Sequence, residues 1–160
     1  MNDNIRDLGG VVTVEVIRDT PQGPRVVSRR DAHNLIVNTG KRQVWRQATG
    51  LNSKVFGFMR IGINSAAAGS ADTNVKTAIA ATLHTVDSKT LLSGTRTMQW
   101  VRSYPSGAGG TIISVAAIKE VALLNQITSP GGSALMRTVF TTVAKTKSDK
   151  LKISYRARLT

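Results

Sequence analysis

Apolar and polar positions alternate with a period of two over much of the chain, and short runs of Gly, Pro, Ser and Asn interrupt the alternation. Successive side chains of a strand point to opposite faces, so this pattern predicts short strands joined by turns. Residues 151–159 give the clearest case. Leu151, Ile153, Tyr155, Ala157 and Leu159 form one row, and Lys150, Lys152, Ser154, Arg156 and Arg158 form the other. The first row is expected in a core and the second on a wetted, basic sheet face. Residues 10–18 carry Val11, Val12, Thr13, Val14, Val16 and Ile17, β-branched side chains that suit a pleated surface. Two prolines in 19–24 mark a turn, because proline donates nothing to a ladder, and 25–30 is expected to return as the second strand of a hairpin.

Further strands are expected at 56–63, 95–104 and 134–144, with a weaker one at 82–92. One of the two faces of 95–104 must be mixed in polarity, which points to a strand partly exposed at an interface or edge. The apolar stretch 111–125 fits one bent strand or two short ones. Helical spacing is clearest over 41–48, where Val44, Trp45 and Ala48 share a face, with Asn38 or Thr39 as the N-cap and Gly50 as the terminator. One or two helical turns are expected at 75–81. Residues 64–73, 105–110 and 126–132 are small, polar or glycine-rich and predict loops. About seven to nine short strands indicate a mainly β fold: an antiparallel β-sandwich, jelly-roll-like, with one short helix. The expected organisation is an N-terminal hairpin or arm over 1–32 and the β-sandwich domain over 33–160.

Charge adds a partner to this picture. The chain has 22 Lys and Arg against 9 Asp and Glu, a net +13 over 160 residues. Such a surplus repels itself in a compact molecule and is expected to serve an anionic partner. The basic residues group as Arg25, Arg29 and Arg30; as Lys41, Arg42 and Arg46 around Trp45; and as Lys145, Lys147, Lys150, Lys152, Arg156 and Arg158. The last group alternates along a strand, and its stripe suits phosphates as well as carboxylates. Nucleic acid ranks behind an acidic protein surface, because single-strand binders add stacking aromatics and Tyr155 lies on the face opposite the stripe. A membrane partner is not expected, since no apolar run approaches the ~20 residues of a span. The polar start, Met1-Asn2-Asp3-Asn4, reads as a soluble chain without a targeting leader.

Candidate chemistry is sparse. There is no cysteine, which excludes disulfides and thiolate metal sites. His33 and His84 are far apart, with no second ligand at metal-binding spacing. No G-x-S-x-G elbow is present. Gly107-Ala108-Gly109-Gly110 lacks the Lys-Ser/Thr pair and following helix of a phosphate loop. No catalytic, metal or cofactor-binding residue is assigned, and a non-enzymatic protein is expected. Glu120 sits inside an apolar run and must be paired if buried; Arg137 is its expected partner in a structural ion pair.

Several segments also recur in a telling order. Asn34-Leu35-Ile36-Val37-Asn38-Thr39-Gly40 leads from strand to helix, and Arg60-Ile61-Gly62-Ile63-Asn64 closes a strand. An Asp72-Thr73 pair follows a small-residue loop. Then come Ile118-Lys119-Glu120-Val121-Ala122-Leu123-Leu124-Asn125, Gly131-Gly132, and Leu135-Met136-Arg137-Thr138-Val139-Phe140. This order resembles that of a group of small virion proteins of tailed bacteriophages; Ala122, Leu124 and Ile63 depart from the group's usual Gly, Phe and Gly. The resemblance implies a jelly-roll-like assembly component and no catalysis. The expectation is a capsid decoration or cement protein that docks on and bridges major capsid protein subunits. It would use basic and apolar surface, with Trp45 or Trp100 as an anchor, act as a dimer or trimer, and reside in a virion assembled in the host cytoplasm. A tail, collar or baseplate component is the alternative, and a non-specific nucleic-acid-binding protein a further one.

Overall fold

The computed structural model describes residues 8–51, 55–106, 115–125 and 133–159. The elements in chain order are β1 (Leu8–Thr20), β2 (Gly23–His33), β3 (Leu35–Ile36), α1 (Asn38–Ala48), β4 (Phe58–Gly62), β5 (His84–Thr85), β6 (Ser88–Leu92), β7 (Thr97–Tyr104), β8 (Val115–Leu124), β9 (Ala134–Lys145) and β10 (Asp149–Leu159). They form two antiparallel five-stranded sheets, ordered β2-β1-β10-β7-β6 (sheet A) and β3-β9-β8-β4-β5 (sheet B). The described residues form a β-sandwich with one short helix, as the alternation and turn spacing predict.

Period-two patterning puts one face of each sheet into the shared core. From sheet A come Val12, Val14, Val16, Leu151, Ile153 and Tyr155; from sheet B come Met59, Ile61, Val121, Leu123, Met136 and Val143. Three aromatic side chains stitch the layers by placing a polar tip on the opposite side. Tyr155 Oη donates to the Val121 carbonyl at 2.9 Å, Tyr104 Oη to the Thr82 carbonyl at 3.0 Å, and Trp100 Nε1 to the Phe56 carbonyl at 3.2 Å.

Several expectations are revised. The N-terminal hairpin forms, but not as an arm outside the body. β1 pairs with β10 from Leu8↔Leu159 to Arg18↔Asp149 and supplies core valines, so the hairpin is two strands of sheet A. β7 is not an edge strand: it lies between β10 and β6, and its mixed composition reflects Arg102, which reaches out to Asp87 at 2.7 Å. Residues 75–81 form no helix; Ala78 bridges Gly62 instead, and backbone bonds such as Ile79 N–H to the Ile61 carbonyl tie the segment along β4. The stretch 82–92 makes two strands, because Val86 turns into the core where the chain passes from sheet B to sheet A. In 111–125 the strand is β8, with irregular register against β9. The turns expected within 107–110 and 126–132 lie outside the described residues.

Candidate docking surface

Helix α1 starts without a side-chain cap: Val37 precedes it, and neither Asn38 nor Thr39 caps it. Thr39 Oγ1 instead donates to the Ala134 carbonyl at 3.3 Å. The helix ends as Gly50 predicts. Gly50 has φ +72°, its N–H bonds the Gln47 carbonyl at 3.1 Å, and the Leu51 N–H reaches the Arg46 carbonyl at 2.8 Å. These paired bonds make a Schellman motif, which satisfies the last carbonyls of the helix.

The buried face of α1 is not the apolar one. Gly40 and Gln43 are the buried helix residues. A Cβ at Gly40 would collide with the Leu135 backbone, so the helix lies directly on β9. This close docking leaves Val44 and Trp45 on the outside, with Trp45 59% exposed. Lys41, Arg42 and Arg46 are exposed beside them, and Leu51 just past the helix is 72% exposed. None of these three cations forms an ion pair among the described residues. Arg46 in the last turn complements the helix dipole.

The support beneath α1 is a buried ionic clasp on the outer side of sheet B. Glu120 and Arg137 are both fully buried, and Arg137 Nε donates to Glu120 Oε2 at 2.8 Å. Glu120 also accepts the backbone N–H groups of Asn64 (3.1 Å), Lys76 (3.0 Å) and Thr77 (2.9 Å). Arg137 reaches Asp72 at 2.9 Å and the carbonyls of Ala66 (3.0 Å) and Ala67 (3.2 Å). Burial alone would raise the Asp72 pKa; the Gly69 N–H and the Arg137 guanidinium outweigh it and hold the carboxyl below its usual value. The clasp thereby fixes loop 64–77, and that loop holds the helix start through the Ser70 carbonyl, which accepts from Asn38 N–H at 2.7 Å. The clasp brings together Gly62, Asp72, Glu120 and Arg137, which are far apart in the sequence. A Cβ on Gly62 would strike the Glu120 carboxylate. Sequence reasoning found the Glu120–Arg137 pair and missed Asp72, which belongs to a loop distant in sequence.

The predicted basic groups do not form one surface. On β10 the alternation holds: Leu151, Ile153, Tyr155 and Ala157 are buried, while Lys150, Arg156 and Arg158 are exposed on the outer face of sheet A. Lys152 faces the same way but sits 3.8 Å from Glu15, and Arg29 lies 3.5 Å from Glu15 and 3.1 Å from Asp31. The stripe is therefore partly neutralised in its middle. Arg30 pairs in register with core-facing Val14 and so projects to the other side of β2 from Arg29; Arg25 stands opposite Arg18 near the hairpin turn. Lys145 is buried, with Nζ donating to the Thr146 carbonyl at 3.2 Å, and leaves the stripe. Trp100 is 7% exposed and committed to the core, so it is not available as a surface anchor. His84 Nε2 contacts the Ala81 carbonyl at 3.0 Å. Among the described residues no three His, Cys, Asp or Glu side chains gather at metal-binding distance. Among the described residues no helix is long and apolar enough to cross a membrane.

No protein-family model, curated protein or solved structure matches this chain.

Proposed function

We propose that this chain is a structural protein of a bacteriophage virion, a decoration or cement protein that docks on acidic faces of capsid subunits. The exposed α1 face carries the reading. A tryptophan left in water on a well-packed molecule, beside cations with no ion pair among the described residues, has the composition of an interface centre, where Trp and Arg dominate binding. A homodimer built on this face would set Lys41, Arg42 and Arg46 against their own copies. An acidic partner removes that repulsion. Any homo-oligomer of the chain is thus assigned to another surface, and the order of the virion-like segments supports capsid subunits as the partner. The test is the stained band intensity of purified particles, with attachment of added protein to particles lacking it. Copy numbers comparable to the major capsid protein are expected, with attachment weakened by salt. Trp45→Ala should lower attachment by about thirtyfold. About six or twelve copies, a tail ring, would move the chain to the tail, collar or baseplate. Absence from any particle would end the reading.

A further inference from the structure

The outer face of sheet A carries a concavity of about 290 Å³ lined by Gly9, Val11, His33, Thr97, Arg156 and Arg158, among others. Strand register builds it. Arg156 lies between Val11 of β1 and Gln99 of β7, and Arg158 between Gly9 and Thr97. His33 of β2 stands beside Val11. The two arginines are two residues apart on one strand and share its wetted face, so their Cα atoms are about 7 Å apart. Gly9 leaves the floor open: a Cβ there would meet nothing within 4 Å.

The electrostatics of the face leave these arginines in surplus. Glu15 is engaged by Arg29 and Lys152, and Asp31 by Thr13 and Arg29. Arg156 adds to the field that lowers the Asp31 pKa, chiefly the work of the Arg29 hydrogen bond, but does not bond to it. Neither Arg156 nor Arg158 has an ion pair among the described residues. Guanidinium forks match planar carboxylates and phosphates. No Phe, Tyr or Trp lines the concavity; His33 supplies its one aromatic ring, so the face lacks the row of stacking rings that single-strand binders use. Carboxylates alternating along an extended peptide repeat at about 7 Å, the spacing of the two arginines.

We propose that the outer face at Arg156 and Arg158, beside this mainly apolar concavity, receives paired carboxylates from an extended acidic segment of a partner protein. It is on the opposite side of the sandwich from α1, which lies on sheet B. Only its consequence rests on the function proposed above: a chain with both contacts bridges two neighbours.

The test is fluorescence anisotropy on the full chain with a labelled alternating Asp-Ser peptide. The Asn-Ser peptide and a single-stranded oligonucleotide of equal charge serve as comparators. The Asp-Ser peptide should bind at low salt, and R156A/R158A should weaken it at least about tenfold. K76A/K147A removes the same charge from exposed sites elsewhere and should leave binding unchanged. Unaltered melting of R156A/R158A would confirm that the fold is intact. Equal affinity of that variant, no peptide binding at low salt, or tighter binding of the oligonucleotide would overturn the proposal. Peptide binding that survives while Trp45→Ala still attaches fully to particles would instead count against the α1 reading alone.

Discussion

Arg137 is a guanidinium with no access to water, held by two carboxylates and two carbonyls. Removing one partner of such a pair leaves the other buried and unpaired, which costs about 3–5 kcal/mol. Arg137→Met should lower stability by that amount in urea titration. Pairing it with Glu120→Leu should recover part of the loss, because no uncompensated charge then remains between them. The recovery will be incomplete, since Glu120 also binds three backbone N–H groups of loop 64–77. A midpoint for Arg137→Met equal to wild type would show that the clasp is not buried as described. The pair was legible in the sequence because a Glu inside an apolar strand demands a partner. Asp72 and the backbone donors were not, because nothing local says which loop folds over the sheet.

At the level of elements, α1 illustrates how close packing overrides periodicity. Val44, Trp45 and Ala48 share the apolar face of the helix, yet Gly40 and Gln43 are the buried residues and Trp45 is exposed. The small side lies against β9 because only a residue without Cβ fits against the Leu135 backbone. Helix propensity alone would make Gly40→Ala stabilising by about 1 kcal/mol. The steric argument reverses the sign: Gly40→Ala should destabilise by about 1–3 kcal/mol, as overpacking does. Thermal denaturation reads the sign directly, and a stabilised variant would refute the docking geometry. Lys41→Ala on the exposed side should change stability by no more than about 0.5 kcal/mol.

For the whole molecule, the decisive balance is between a net +13 and the few carboxylates that offset it. Asp149 ties the end of β1 to the turn between β9 and β10. It accepts from Arg18 Nε at 2.8 Å and from Thr146 Oγ1 at 2.7 Å. The Arg18 hydrogen bond is the main cause that holds its pKa at about 2. The folded value lies below the ordinary 3.8, so its contribution is complete above about pH 4 and is lost as pH falls towards 2. Asp31 and Asp72 are lowered as well and add with the same sign. Protonating them also increases the repulsion among the cations. The melting temperature should therefore fall steadily from pH 5 to pH 2, and Asp149→Asn should fall less steeply. Parallel curves for the two proteins would exclude Asp149 as a source of the acid sensitivity.

By itself the sequence determined most of the long strands, where the first hairpin turns, where α1 stops, and which residues of β10 face in or out. These are properties of neighbours along the chain: alternation, proline at a turn, glycine at a left-handed position. Tertiary structure alone decided that the first hairpin completes sheet A and that β7 is an interior strand. It also decided which tryptophan is buried. Trp100 and Trp45 both sit in mixed surroundings, and their fates depend on what packs over them, a carbonyl of Phe56 in one case and solvent in the other. The same holds for charge. The basic residues can be counted from the sequence, but strand register pairs Glu15 with Lys152 and leaves Arg156 and Arg158 without an ion pair among the described residues, around an open glycine.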